Sequence, residues 1–421
     1  MTTFAIVGGG LAGAKAAETL RKEGFDGEIV LFGDESEVPY ERPPLSKEYL
    51  LGKAERESAF VHPAEWYVEH DVDLRTGVTV EAIDPGMHRV TYSARGDNAP
   101  ATPRRTAGEG GSLTYDKLLL ATGASPRRID IRGADLAGVL YLRKLPDSDA
   151  LRAAFKPGAR VVFIGAGWIG LEAAAAARAA DAAVTILEPQ PTPLHGAIGP
   201  ELGAKFAKLH IDHGVEFRFG ESAAEIHGDA GGRVGSVLTS GGKVLPANVV
   251  VVAIGATPGD ELAYAAGLEV DNGVLTDAAL RTSDPDIYAT GDVANSVNPL
   301  LGRRIRVEHW ANALHGGPAA ARSMLGQEVS YDRVPYFYSD QYDLGMECSG
   351  LPTPGTYDQV VYRGDAEGLE FIAFWLNEGK VVAGMNVNVW DVTGDIQSLI
   401  RRARPVDVSR LTNPDIPLPE V

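Results

Sequence analysis

A second cysteine is missing from this chain of 421 residues. Cys348 alone cannot close an internal disulfide, supply a redox-active dithiol or point to an oxidising compartment. Long apolar runs are missing too: Glu172 and Arg178 interrupt the longest candidate before it could span a bilayer. The first apolar run, Phe4–Val7, leads straight into glycines, without the basic start, apolar core and cleavage site of a signal peptide. The expectation is a cytoplasmic protein with no membrane segment. Basic residues are in deficit, 39 against 57 acidic ones, for a net charge of −18. That balance argues against a general nucleic-acid or anionic-membrane binder, and any polyanionic partner must meet a local basic patch. Repeats of 20 to 50 residues, a Walker A lysine, a G-x-S-x-G elbow and zinc-type cysteine pairs are likewise absent. His210 and His213 have no evident third ligand, so a helix-end or surface pair is expected there.

What is present reads as a folded protein, 44% hydrophobic and 23% charged. At about 100–200 residues per domain, two to four domains are expected. The 49 glycines exceed the usual share of about 7% without a collagen-like period, so sharp turns and close backbone approaches should follow. The N-terminus reads as strand Phe4–Val7, glycine turn Gly8–Gly10, helix Leu11–Arg21 and strand Ile29–Phe32. The pattern returns as strand Val161–Ile164, turn Gly165–Gly167, Ala-rich helix Trp168–Ala180 and strand Ala183–Leu187. Further strands ending in small residues are expected at Leu118–Leu120, Val249–Val252 and Ile287–Ala289. Ser93–Ser112, with prolines, paired arginines and Gly110-Gly111, reads as a long mobile hairpin loop. After Gly326 the pattern turns aromatic and β-rich, which predicts a separate α+β domain with strands at Phe371–Leu376 and Val381–Val389, then a proline-rich tail from Pro405.

Gly8, Gly10 and Gly13 fit G-x-G-x-x-G between a strand and a helix, and Gly165, Gly167 and Gly170 fit it again. The first glycine permits the tight turn, the second lets backbone approach a pyrophosphate, and the third lets helix and strand pack closely. The helix N-terminus, here Leu11 and Ala12 or Ile169, then offers free N–H groups to the phosphates. An acid should follow to bind the ribose. In the first copy Asp34 and Glu35 both qualify, each further from Gly8 than the about 20 residues usual; in the second, Glu188 stands at the strand end. A carboxylate there repels a 2′-phosphate, and Pro189–His195 holds no Arg or Lys to attract one, so NADH is favoured over NADPH. Two dinucleotide folds in one chain suggest a held flavin facing a diffusible nicotinamide.

Tyr40-Glu41-Arg42-Pro43-Pro44-Leu45-Ser46-Lys47, Ala121-Thr122-Gly123, Gly170-Leu171-Glu172, Ala289-Thr290-Gly291-Asp292 and Glu308-His309-Trp310 together resemble the FAD-dependent NADH:ferredoxin reductases that serve cytochrome P450 and Rieske-type oxygenases. The resemblance continues through Ser339-Asp340-Gln341-Tyr342-Asp343 and Asn386–Trp390, so it spans nearly the whole chain. It implies an α/β fold of the glutathione-reductase type, with two Rossmann-like dinucleotide-binding domains (FAD and NAD) and a C-terminal α+β domain. The expected boundaries are 1–124 and 249–328 for FAD, 125–248 for NAD and 329–421 for the last domain. It implies that Lys47 lies beside the flavin N5 and pairs with Glu172 near the nicotinamide as the catalytic pair. It places Arg42, Val80 and Arg143 against FAD, Asp292 on the ribityl chain, Trp310 by the isoalloxazine, and Ala121, Thr122, Gly123, Gly255, Gly291 and Glu308 along the cofactors.

The lone cysteine then discriminates within flavoenzymes. Glutathione-type reductases need two close cysteines, and coenzyme A-disulfide reductases and NADH peroxidases resemble this fold but place one near Arg42–Lys47; neither is here. Electrons must leave the flavin directly, which the resemblance assigns to a small iron–sulfur ferredoxin. An NADH oxidase or diaphorase, and an NADH-sensing protein resembling apoptosis-inducing factor, stay open beside it. Two departures lie near the expected flavin edge: His309, where relatives often carry a small hydroxyl residue, and Gly316-Gly317-Pro318, where a proline would break a helix interior. An acidic ferredoxin needs basic residues at its dock, for which Arg303-Arg304-Arg306 and Arg401-Arg402-Arg404 are the candidates.

Overall fold

Strand Thr3–Val7 is buried along its whole length, as an apolar strand flanked by parallel neighbours on both sides must be. In the computed structural model, which describes residues 1–94 and 110–421, it pairs in parallel with Glu28–Phe32 and Lys117–Leu120. Val72–Arg75 extends the sheet at one side and Ile287–Ala289 at the other. With these five strands numbered along the chain, the order is 3-2-1-4-5, the doubly wound arrangement whose ligand crevice opens where the order reverses. The second copy repeats it: Arg160–Ile164 lies between Ala183–Glu188 and Val249–Val252, with Val215–Phe219 outside. Helices Leu11–Lys22 and Trp168–Ala179 follow the two first strands, within a residue of the expected bounds.

The chain divides into two units. One holds 1–41, 56–125 and 257–335, and the other 42–55, 126–256 and 336–421. These differ from the expected boundaries in three places. Val249–Val252 hydrogen-bonds to Val161–Ile164, so the return to the first fold falls after Ala256 and not before Val249. The segment 42–55 belongs with the second unit, where Ser148 Oγ donates to the Leu45 carbonyl and Tyr49 to Asp149. The C-terminal domain, expected from 329, builds its own sheet from Tyr336 and groups with the second unit, while 329–335 stay with the first. Its five antiparallel strands run in the order Tyr336–Gln341, Leu344–Gly350, Lys380–Val387, Glu370–Asn377, Gln359–Asp365. Arg363 ties the tail to this sheet through the carbonyls of Leu411, Asn413, Pro414 and Ile416.

The loop expected at Ser93–Ser112 lies mostly outside the described residues; its flanks Arg89–Ala94 and Gly111–Thr114 pair antiparallel, as a hairpin requires. Pro318 does not end a helix: Trp310–Met324 runs through it. Close packing on Leu11–Lys22 offsets the hydrogen bond that proline forfeits. The two preceding glycines allow that approach, because a Cβ on Gly317 would sit 2.3 Å from the Ala12 carbonyl oxygen and one on Gly316 2.5 Å from Thr290 Oγ1.

Candidate functional site

Each turn uses its three glycines for three different purposes. Gly8 and Gly165 have φ of 127° and 98°, and a Cβ there would lie 2.0 Å from the Ala121 oxygen and 2.4 Å from the Ala253 oxygen. Gly13 and Gly170 pack onto the carbonyls of Gly8 and Gly165, where a Cβ would stand at 2.2 and 2.7 Å. Gly10 and Gly167 instead face open space, with no atom within 4 Å of an added Cβ. They are the N-caps of the two helices, and neither helix has an acidic residue in its first turn. Bare N–H groups, a positive helix end and an unobstructed approach suit a diphosphate, so the residues present fit FAD in the first unit and NADH in the second. Ile169, half-exposed in the first turn of the second helix, adds an apolar surface beside the phosphate cradle.

The two copies differ at the acid. Glu188 ends its strand and closes on the turn, its Oε2 accepting from Ala166 N at 2.9 Å and its Oε1 from Gln190 N at 2.9 Å. In the first copy the equivalent strand-end position is Gly33, whose Cα would lie 2.9 Å from a Cβ on Gly9. The acids follow one and two residues later, and Glu35 Oε2 accepts from Tyr40 at 2.6 Å. This displacement accounts for part of the longer spacing; the rest precedes the strand end, since Gly8 to Gly33 spans 25 residues and Gly165 to Glu188 spans 23.

The remaining expected cofactor residues separate by unit. In the first, Thr122 Oγ1 donates to the Gly259 carbonyl at 2.6 Å, and Gly123 takes φ 69°. Gly291, with φ 76°, opens the single turn Gly291–Val293 against Ala12. Trp310 Nε1 donates to Glu41 Oε2 at 2.9 Å, while Arg306 donates to Glu308 at 2.5 Å and to the Asp292 carbonyl at 3.2 Å. Val80 is buried in the apolar core of this unit. Burial pushes the His309 imidazole down to about 4, against the pull of Asp292, so it is neutral near neutral pH. In the second unit Arg42 donates to the Arg143 carbonyl, and the Gly255 carbonyl accepts from Arg127 N.

Lys47 and Glu172, 125 residues apart in sequence, form a buried ion pair with Nζ 2.7 Å from Oε1; their side chains are 7% and 5% exposed. Ser339 Oγ also donates to Oε1, at 2.6 Å, and Ser46 Oγ donates to Oε2. The Lys47 ammonium stands 5.1 Å from the Tyr338 ring centre. Asp340 is close enough to feel both charges: partial burial raises its pKa, Lys47 opposes and Glu172 adds to the rise.

The packing that builds this cluster follows from two periods. Trp168 and Glu172 share a helix face at i and i+4, and Phe337, Ser339 and Gln341 share a strand face at every second residue. Trp168 packs edge-on against Phe337 at 5.1 Å, which sets Ser339 beside Glu172 and Gln341 beside His210. Ser46, Ser339, Gln341 and His210 are therefore site residues that the sequence reading missed. His210 is no surface histidine: it is fully buried, because Gln341 and Tyr342 cover the helix end that carries it. The alternation after Phe337 was the available signal.

Cys348 is fully buried, and burial pushes its thiol up, so it is inert. Among the described residues no group of three His, Cys, Asp or Glu could hold a metal ion, and no helix is long and apolar enough to cross a membrane. Both candidate basic runs reach the surface. Arg303 and Arg304 are exposed, Arg304 also donating to the carbonyls of Thr276 and Asn295 and Arg306 to the Asp292 carbonyl, Asn272 and Glu308; Arg401, Arg402 and Arg404 are exposed at and just beyond the end of helix Thr393–Arg402, where Arg402 donates to the Val421 carbonyl.

Comparison with known proteins agrees with this geometry. Residues 2–317 match the family model described as pyridine nucleotide-disulphide oxidoreductase, and 336–421 match the one described as reductase C-terminal. The chain is 39% identical over 418 residues to the ferredoxin–NAD(+) reductase component of the anthranilate 1,2-dioxygenase system of Burkholderia cepacia, covering 99% of this chain and 98% of that one. It is 35% identical over 421 residues to putidaredoxin reductase of Pseudomonas putida, covering 99% and 96%. Putidaredoxin reductase in its covalent complex with putidaredoxin superposes with a TM-score of 0.92 at 35% identity, covering 100% of this chain and 97% of that one. The chain therefore belongs to the pyridine nucleotide-disulphide oxidoreductase family, within its ferredoxin reductases, and lacks the cysteine pair after which the family is named.

Proposed function

We propose that this protein is an NADH:ferredoxin reductase that feeds a cytochrome P450 or Rieske-type oxygenase in the cytoplasm. One observation carries the reading: a chain with two dinucleotide cradles and full-length likeness to ferredoxin reductases has a single, buried, inert thiol. No dithiol can take the electrons onward, so the acceptor must draw them from the flavin. Bound FAD supplies the conversion of a two-electron hydride donor into a source of single electrons.

The residues divide the work. The turns at Gly8–Gly13 and Gly165–Gly170 hold the two diphosphates on helix N-termini, and Glu188 binds the adenosine ribose of NADH while repelling a 2′-phosphate. Lys47 presents a positive charge at Nζ, and Glu172 orients it through the buried ion pair. The pair serves the step in which negative charge is delivered with the hydride. An acidic ferredoxin would dock on one of the two exposed basic runs, Arg303-Arg304-Arg306 or Arg401-Arg402-Arg404.

The test is reduction of cytochrome c by the FAD-loaded enzyme with NADH and candidate ferredoxins added one at a time. The expected result is ferredoxin-dependent turnover that falls steeply with salt, while reduction of the bound flavin by NADH barely changes. Fast oxygen consumption with no gain from any ferredoxin overturns the reading in favour of an NADH oxidase.

A further inference from the structure

We infer that Gln341 and His210 are positioning residues which, through Ser339, form a head-to-tail chain of hydrogen-bond donors that holds the Glu172 carboxylate against Lys47. This rests on the role proposed above for the Lys47–Glu172 pair. The chain has links of 2.6 Å from Ser339 Oγ to Glu172 Oε1, 3.0 Å from Gln341 Nε2 to Ser339 Oγ and 2.9 Å between His210 Nε2 and Gln341 Oε1. Its outermost link is 3.2 Å between the Tyr342 hydroxyl and His210 Nδ1.

The direction of every link follows from the carboxylate. Glu172 in its ion pair only accepts, so the single hydroxyl hydrogen of Ser339 is spent on it. Ser339 Oγ must then accept, which turns the Gln341 amide nitrogen toward it and the amide oxygen toward His210. An amide oxygen only accepts, so His210 carries its hydrogen on Nε2 and leaves Nδ1 to accept from Tyr342. Burial pushes the His210 imidazole down to about 4, which keeps the ring neutral as this pattern requires. Ser339, Gln341 and His210 are each no more than 1% exposed, so water offers little substitute for a lost link.

Two further features fit anchoring. Tyr342 sits at φ 58° in the two-residue turn between Tyr336–Gln341 and Leu344–Gly350, a left-handed position that a bulky side chain rarely adopts. Its ring stacks on His213 at 3.7 Å while its hydroxyl reaches His210, so the strained residue closes the chain. Nor does the chain conduct protons, because the Gln341 amide cannot both take and release one without leaving its amide form. It holds the acid in place.

Two measurements on the FAD-loaded enzyme test this. Nitrogen-15 NMR of histidine-labelled protein should show His210 neutral with its proton on Nε2 at neutral pH, and Gln341→Leu should abolish that preference. An Nδ1–H tautomer or an imidazolium overturns the inference. Stopped-flow reduction by NADH should slow about tenfold in Gln341→Leu, which removes both of the amide's buried hydrogen bonds, and less in Tyr342→Phe, which keeps the packing. In a Glu172→Gln background the same substitutions should cost less than about twofold, since the carboxylate they serve is gone. Equal losses in both backgrounds would mean a merely structural role and overturn the inference. If NADH does not reduce the wild-type flavin, the proposed function fails, whereas the tautomer and the same cycle read by melting temperature still decide the chain.

Discussion

Removing the two halves of the buried ion pair should have unequal effects on stability. Breaking a buried pair costs about 3–5 kcal/mol because the survivor is left as an uncompensated charge. In Lys47→Met the Glu172 carboxylate keeps hydroxyl donors from Ser46 and Ser339, which places the loss at the lower end, about 3 kcal/mol. In Glu172→Leu the ammonium loses its hydrogen-bonded partner and keeps only the weaker attraction of the Tyr338 ring at 5.1 Å and of Asp340, while the Ser46 and Ser339 hydroxyls lose their acceptor, so the loss lies at the upper end, about 5 kcal/mol. A unit the size of the second one loses about 2–4 °C of melting temperature per kcal/mol. Calorimetry of the holoenzyme should therefore show drops of about 6–12 °C for Lys47→Met and about 10–20 °C for Glu172→Leu. The double variant Lys47→Met/Glu172→Leu should recover most of the loss, since an apolar pair leaves no charge to desolvate. Additive losses, or Lys47→Met proving the worse single change, would refute the argument from hydroxyl donors.

Further outcomes concern the cradles and one buried acid. Glu188→Ala should narrow the preference for NADH over NADPH in flavin reduction; an unchanged ratio of kcat/KM removes Glu188 from the ribose role. Gly10→Val should leave the apoprotein's melting temperature within a degree or two yet abolish FAD uptake by absorbance, because its side chain would fill the open approach and strain nothing. Glu18 is held near 2 in the folded state: burial raises its pKa, but hydrogen bonds from Lys15, Lys22 and His62 outweigh it. A carboxylate depressed in this way stabilises the fold above its ordinary 4.5, and that stability disappears as pH falls toward 2. Glu18→Gln should thus flatten the acid limb of a stability-versus-pH curve over that window, and an unaltered limb would show the cluster to be solvent-screened.

Both dinucleotide folds were legible in the chain because everything that makes them is local. A strand, three glycines with different steric duties, a helix start and an acid lie within about 30 residues. The lone cysteine excluded dithiol chemistry by counting alone, and the Ala289–Asp292 and Glu308–Trp310 motifs carried the family resemblance. Domain boundaries were less legible, since Val249–Val252 reads as a buried strand in either sheet and only its pairing with Val161–Ile164 assigns it. Pro318 misled because its helix is stabilised by Leu11–Lys22, a partner far away in sequence. The two basic runs stay alike in the fold, since each has exposed arginines and each has arginines that donate to backbone carbonyls. The surroundings of Glu172 were decided by tertiary structure alone. Ser46, Lys47, His210, Ser339 and Gln341 come from three distant segments, and what one buried carboxylate accepts from each depends on how a helix face of period 3.6 meets a strand face of period 2.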